Sequence, residues 1–231
     1  MTQKLPPRSR ARPQTSSKRA RPAELTPLAR VLRRPATRVT PLDALNLASK
    51  KWRKGERLDI GQLASELGVA RATVFRWVGS REQLYGEVLS QAYARQRAAI
   101  LRSASGRGMK RLADVVRRNL NALCEASPLR TFVEQDPEFA IRVLTSNSSP
   151  VQARTIELEK QFLREIIQET RIKPPLDIDT LAYIMIRIGE AFLYADAISG
   201  RKPEIEKAVA AICILVAGAS PLARRPRKPA R

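Results

Sequence analysis

The sequence predicts an all-α protein, and three observations support this fold class. Hydrophobic residues make up 43% of the 231 positions, whereas aromatic residues make up only 5%, a balance that favours helices over sheets. Apolar residues recur at spacings of three and four, which is the period of an amphipathic helix. Clusters of proline, glycine and serine, such as "SNSSP", "KPPLD" and "SGRKP", separate these stretches into short helical segments.

The first 38 residues are predicted to form a disordered basic arm. They contain many arginines and lysines, one acid, Glu24, and few large apolar residues, so burial cannot offset the entropy of ordering them. The arm either stays solvated or lies along DNA phosphates. Residues 221–231 repeat the pattern and predict a basic disordered tail. A formal net charge of +21 makes a polyanion the expected partner.

Local end signals predict three short helices between residues 39 and 84. Thr40 is suited to cap the first helix and Gly55 to end it. Asp59 is suited to cap the second, and Gly68 permits the left-handed turn of a tight corner. The helical pattern then resumes from Arg71 to Trp77.

The second and third of these helices have the requirements of a helix-turn-helix. This motif needs a small residue at the crossing, a glycine in the turn and an apolar residue that holds the second helix; Ala64, Gly68 and Val74 meet these needs. The alternative is an ordinary helical hairpin that belongs to the core. The face left outward is cationic and fits a major groove. It consists of Arg71, Ala72, Thr73, Arg76 and part of Trp77.

The stretch "IGQLASELGVARATVFRWVGSREQLYGEVL" resembles the DNA-binding domain of TetR-family regulators. It has the Gly-Val turn, a recognition helix with threonine, a hydrophobic residue and an aromatic residue, and a Ser-basic-Glu start to the next helix. Within the family, "FRWVGSREQL" and "IRIGEAFLYADAI" are most similar to the QsdR-like branch. The resemblance implies base or phosphate contacts by Arg71, Thr73, Arg76 and Trp77.

The resemblance also marks one further contact and two departures. Arg81 lies where the family keeps a phosphate-binding lysine, so it is an expected phosphate contact. Phe75 replaces a common tyrosine and lacks its hydroxyl, but it remains on the expected DNA-binding surface. Ala70 replaces a capping serine, which costs the third helix about 1 kcal/mol.

Residues 85–220 are predicted to form a larger helical domain for effector binding and dimerisation. A long helix beginning after Ser80 joins it to the first domain. Further helices are expected at about Met109–Ala126, Pro128–Gln135, Pro137–Thr145, Pro150–Arg171, Ile178–Ser199 and Pro203–Ala219. The spacing of the last two permits a four-helix bundle with their copies across a twofold axis, and the resemblance to TetR regulators implies such a homodimer.

Two sets of residues are candidates for an effector site. Phe132, Phe139 and Phe162 either form pocket walls or belong to the ordinary core. Arg187, Glu190 and Tyr194 lie on one polar stripe of an apolar helix, where Arg187 and Glu190 are expected to form a salt bridge. That pair belongs either to an interface or to the polar end of a pocket. A small, mostly apolar effector is expected, and the QsdR-like resemblance implies a lactone-like or acyl molecule.

Catalytic and metal-binding patterns are missing from the sequence. It has no histidine, no Cys-x-x-Cys and no glycine-rich phosphate loop, so neither an enzyme nor a cofactor or metal site is expected. Cys124 and Cys213 are interpreted as reduced core residues. Without an export signal or membrane span, the expected location is cytoplasmic.

The function predicted from these features is a sequence-specific DNA-binding regulator. It is expected to act as a ligand-responsive repressor that binds a palindromic operator as a homodimer. The alternative is an architectural protein that binds nucleic acid without sequence preference through its basic tails. Deletion of residues 1–38 separates the two, because only the architectural protein would lose most of its affinity.

Overall fold

A computed structural model describes residues 39–194, 200 and 202–218 of the chain. Within these residues the chain forms ten helices and no strand, which confirms the all-α prediction. The helices are α1 (Pro41–Arg53), α2 (Ile60–Leu67), α3 (Arg71–Val78), α4 (Arg81–Ser103), α5 (Gly108–Glu125), α6 (Ser127–Gln135), α7 (Pro137–Thr145), α8 (Val151–Thr170), α9 (Ile178–Leu193) and α10 (Ile205–Ala217). The predicted arm at 1–38, the tail at 221–231 and the end of the helix predicted to reach Ser199 lie outside the described residues.

The helix ends follow the capping signals of the sequence. Thr40 begins α1 with a reciprocal capping box to Asp43, and Ser80 begins α4 with the same arrangement to Gln83. The Asp59 side chain accepts a hydrogen bond from the backbone N–H of Gln62 at the start of α2. These contacts satisfy amide groups that have no partner inside the helix, and they fix where each helix starts.

The corner between α2 and α3 depends on Gly68. Its φ angle is +65°, a left-handed backbone conformation that is unfavourable for residues with a Cβ atom. Ala70 begins α3 without a side-chain cap, so this helix is held mainly by packing. Val74 supplies that packing, because its side chain projects from the inner side of α3 and is completely buried.

The first hydrophobic core unites α1–α4 with α6 and α7. Trp52, Tyr85, Phe132 and Phe139 form its centre, with ring centroids 4.6–6.2 Å apart in stacked or edge-on arrangements. The Tyr85 hydroxyl accepts a hydrogen bond of 2.9 Å from the backbone N–H of Leu58. The predicted domain boundary at residue 84 therefore cuts through a shared core, although the domain division itself stays a prediction.

The second hydrophobic core is formed by α5, α8, α9 and α10. Its buried side chains are mostly aliphatic, including Leu112, Leu163, Leu181 and Ile212, and Phe162 is its one buried aromatic residue among those described. Both α9 and α10 carry apolar side chains on several faces. None of the helices described in the chain is long and apolar enough to cross a membrane.

Candidate nucleic-acid interface and ligand cavity

The outward face of α3 is short, basic and free of acidic residues. Arg71, Ala72, Phe75 and Arg76 are exposed, and Thr73 and Trp77 are half-buried on the same helix. The opposite side is fixed by the buried Val74. The N-terminal amides of a helix also carry partial positive charge, so this face is electrostatically positive.

Phe75 supports one of the exposed arginines. The Arg71 guanidinium lies over the Phe75 ring, 5.3 Å from its centroid, and Phe75 remains 38% exposed. A cation–π contact of this kind restricts the arginine while leaving the N–H groups, which lie in the guanidinium plane, able to donate hydrogen bonds. Phe75 therefore contacts Arg71 through its ring, an interaction that needs no hydroxyl.

Arg81 follows α3 in the chain and packs against the aromatic centre of the first core. It is half-buried at the start of α4, with its guanidinium 4.1 Å from the centroid of Phe139 and 5.3 Å from that of Tyr85. The Arg142 guanidinium also approaches the Phe139 ring, 5.4 Å from its centroid, and pairs with Glu82 at 3.5 Å. The expected phosphate contact is thus attached directly to α7.

A cavity of about 180 Å³ lies where the two hydrophobic cores meet. Among its wall residues, the first core contributes Trp52, Leu89 and Leu144, and the second core contributes Leu120, Met185 and Ile212. An apolar cavity of about 150 Å³ holds benzene, so this space is sufficient for a somewhat larger organic molecule. The wall is largely apolar, with polar groups concentrated in two places.

One polar group is the pair predicted from the stripe on α9. Arg187 and Glu190 form the expected salt bridge at 3.0 Å, and Gln152 links them by donating to Glu190 and accepting from Arg187. Burial raises the pKa of Glu190, while the charge of Arg187 opposes that shift. Glu190 and Tyr194 line the cavity, but Arg187 is not part of its wall.

A second polar group was missed by the sequence reasoning. Arg97 on α4 donates a 2.5 Å hydrogen bond to Glu159 on α8, and Tyr93 donates one of 2.7 Å to the other carboxylate oxygen. Asn119 on α5 donates to the Tyr93 hydroxyl. Burial and the neighbouring Glu159 carboxylate raise the pKa of Tyr93 well above its usual value, so this phenol stays protonated. All four residues line the cavity.

A sequence signal for this second group was present. Glu159 precedes Phe162, Leu163 and Ile166 at helical spacings of three, four and seven, which places its carboxylate on a buried stripe. Arg97 similarly follows Tyr93 by four positions. A charged residue on an apolar stripe is costly unless it is paired. Each of the two positions therefore predicts an oppositely charged partner, and the other position supplies it.

The three predicted pocket phenylalanines lie in the cores rather than in the cavity wall. Phe132 and Phe139 pack in the aromatic centre of the first core, and Phe162 is buried in the second core beneath the Arg97 guanidinium. None of the three lines the cavity, so any contact with a ligand would be indirect. Cys124 and Cys213 are both half-buried, and neither forms a disulfide.

Known proteins resemble this chain over most of its described length. A family model described as the tetracyclin repressor-like C-terminal domain matches residues 107–217. The transcriptional repressor QsdR of R. erythropolis, from the TetR family, is similar with 29% identity and a TM-score of 0.71, over 76% of this chain and 93% of that one.

Two further solved structures are more distant. A TetR-family regulator from Streptomyces coelicolor is similar at 16% identity and a TM-score of 0.45, over 74% of this chain and 76% of that one. FadR of Bacillus subtilis, solved with stearoyl-CoA, is similar at 14% identity and a TM-score of 0.47, over 78% and 99%. No curated protein matches the chain.

Proposed function

Because the chain belongs to the TetR family of DNA-binding transcriptional regulators, which are not enzymes, we propose that it is a ligand-responsive repressor. It binds a palindromic operator as a homodimer and releases this DNA when a small, mostly apolar molecule enters the cavity. The likeness to QsdR supports a place in the QsdR-like branch. A cytoplasmic location is part of this proposal.

The observation that carries DNA recognition is the exposed basic face of α3. Arg71 and Arg76 project from a helix that contains no acid and whose opposite side is held by Val74. A helix presented in this way fits the major groove, where arginine can donate two hydrogen bonds to guanine. Thr73 and Trp77 flank the arginines, and Arg81 extends the surface towards the phosphates.

Exposed apolar groups on α9 and α10 support dimerisation. Tyr183 is 49% exposed and Ile214 is 60% exposed, although both belong to helices that otherwise build the second core. Large apolar side chains left outward on two neighbouring helices favour a partner surface. Pairing α9 and α10 with their copies around a twofold axis would cover them in a four-helix bundle.

Trp52 supports a direct effect of the ligand on the DNA-binding helices. This residue belongs to α1, lines the cavity, and packs edge-on against Phe132 and Tyr85 at 5.3 Å and 6.2 Å. A molecule in the cavity therefore touches a helix that positions α2 and α3. The ligand changes DNA affinity only if it binds the operator-bound and free conformations unequally.

Selection from a random pool of double-stranded DNA tests the proposed operator. We expect the full chain to enrich an inverted repeat, with half-sites centred roughly 34–36 Å apart or at a multiple of that spacing. A footprint on the enriched DNA should have twofold symmetry. An asymmetric footprint would contradict the homodimer, and failure to enrich any sequence would contradict the regulator itself.

The role of α3 is tested by comparing two exposed arginines. We expect Arg76→Ala to weaken operator binding by about 1–3 kcal/mol and to relax the preference at one base pair. Arg164→Ala, which removes an exposed arginine from α8, should leave the base preference unchanged. Fluorescence anisotropy with the selected operator and single-base variants measures both. An equal loss on all sequences for Arg76→Ala would identify a phosphate contact instead.

A further inference from the structure

Arg97 is buried in the cavity wall with hydrogen-bonding capacity left over. The residue is only 2% exposed. Its Nη2 atom donates to Glu159, but its buried Nε and Nη1 atoms have no acceptor among the described residues. An unpartnered buried donor costs about 1–3 kcal/mol, and an acceptor atom that reaches these N–H groups from the cavity would remove this cost.

Among the described residues, Arg187 is the other arginine with a buried unpartnered nitrogen, but it lies in a different place. Arg187 also has an unpartnered Nε atom, but its side chain is one-third exposed and it is not part of the cavity wall. Its guanidinium already contacts the backbone carbonyl of Thr145 and the side chain of Gln152. Arg97 is therefore the stronger donor site for a molecule inside the cavity.

The charge around Arg97 favours a neutral molecule over an anion. Glu159 lies 2.5 Å from Arg97 and balances its charge, so the guanidinium needs an acceptor but no counter-ion. A carboxylate from a ligand would bring a second negative charge next to Glu159 in an apolar surrounding, which is unfavourable. A cation would meet the N–H groups of Arg97, which are donors only.

We infer that the effector is a small neutral carbonyl compound whose oxygen accepts hydrogen bonds from Arg97 while its apolar body fills the space between the two cores. The inference rests on the proposed function, since it identifies the chemical class of the ligand at the same cavity. The Arg97 guanidinium lies 4.5 Å from the centroid of the Phe162 ring, and its Nη2 atom donates to Glu159. Arg97 is thereby fixed in orientation before the ligand binds.

Binding of three probes of matched chain length tests the chemical class. We expect the full chain without DNA to bind 2-heptanone at least about tenfold more tightly than heptanoate or heptylammonium, because burying a charge next to a neutralised pair is unfavourable. Isothermal titration calorimetry measures the three affinities. If 2-heptanone does not bind, or if either charged probe binds more tightly, the inference is wrong.

A paired substitution tests the position of the acceptor. Arg97→Met with Glu159→Gln removes both charges together, keeps the Arg97 aliphatic stem and leaves an amide oxygen for Tyr93, so the fold is expected to survive. Binding of 2-heptanone should fall at least about tenfold. The control is Arg111→Met with Glu169→Gln, since that pair likewise joins α8 to another helix, here α5, and Arg111 contacts Phe162, but neither residue lines the cavity. The control should keep its affinity.

The opposite pattern would overturn the inference. If Arg187→Met with Glu190→Gln abolishes ketone binding while the Arg97 and Glu159 variant retains it, the acceptor lies at the α9 pair instead. Circular dichroism establishes that each variant is folded. If 2-heptanone binds through Arg97 but leaves operator affinity unchanged, the ligand class stands and the proposed ligand response fails, so the two failures are distinguishable.

Discussion

The two hydrophobic cores differ in the side chains that fill them and in what they connect. The first is built around four aromatic rings and joins the DNA-binding helices to α6 and α7. The second is mainly aliphatic and holds α5, α8, α9 and α10 together. Aromatic rings in edge-on contact keep preferred relative orientations, whereas aliphatic packing is less directional. If a ligand in the cavity displaces side chains of both cores, the first core is therefore the one expected to pass that displacement on to α3.

The comparison also shows that the DNA-binding helices are not packed as a separate unit. Phe132 and Phe139 come from α6 and α7, yet they fill the core beneath α1 and α4. Gly86 allows α4 to approach the start of α8 closely, because a Cβ atom there would collide with the side chains of Ser149 and Pro150. These contacts pack α1 and α4 directly against helices that follow them in the chain.

Truncation of one phenylalanine in each core gives the largest expected effect. Phe132→Ala and Phe162→Ala should each lower the free energy of unfolding by about 3–5 kcal/mol, measured by denaturant titration at one protein concentration. Only Phe132→Ala should also speed amide hydrogen exchange in α1–α3, because only that ring supports them. Equal acceleration in both variants would show that the cores are not distinct.

Trp52 tests whether the first core carries the ligand response. Trp52→Phe should reduce the coupling between 2-heptanone and operator binding by about 1 kcal/mol, since allosteric couplings are typically about 1–3 kcal/mol. The matched control is Met185→Leu, which changes a cavity wall of the second core and should retain the coupling. Operator affinity with and without the ketone measures both. A larger loss in Met185→Leu would assign the response to the second core.

The smallest expected effect concerns two exposed carboxylates, one at the start of a helix from each core. Backbone and side-chain hydrogen bonds from Thr180 lower the pKa of Asp177 at the start of α9, and hydrogen bonds from Thr40 lower that of Asp43 at the start of α1. A lowered pKa in the folded state contributes stability above the unfolded value of about 3.9, and this contribution is lost as the pH falls through the folded value.

Asparagine at either position can still accept hydrogen bonds from the neighbouring threonine, but it does not titrate. The melting temperature of Asp177→Asn or Asp43→Asn should therefore fall less steeply than that of the wild type between pH 6 and pH 3. Both changes should be smaller than the effects of core truncation. Parallel curves for the wild type and a variant would show that the carboxylate does not contribute to the acid sensitivity.

The helices and the exposed basic face of α3 could be predicted because their signals are local. Thr40, Asp59, Gly68 and Ser80 mark helix ends within a few residues of their partners, and Val74 lies opposite the exposed arginines on one short helix. These features follow from helical spacing and capping chemistry alone. The resemblance to TetR regulators was carried by the same stretch.

The cavity could not be predicted in this way because its parts are distant in the sequence. Arg97 and Glu159 are 62 positions apart, and they meet only when α4 packs on α8. Periodicity also cannot separate an apolar stripe that faces a cavity from one that fills a core. Phe132, Phe139 and Phe162 show this, since they have the spacing of pocket walls but lie in the packed cores.

Amide hydrogen exchange with and without 2-heptanone tests most directly whether the cavity communicates with the DNA-binding helices. The full chain should show altered exchange in α1 around Trp52 and in the first half of α4, in addition to the helices that line the cavity. These changes should be absent when Arg97→Met and Glu159→Gln are combined. Changes confined to α5, α8 and α9 in the wild type would contradict the account, because the first core would then carry no signal.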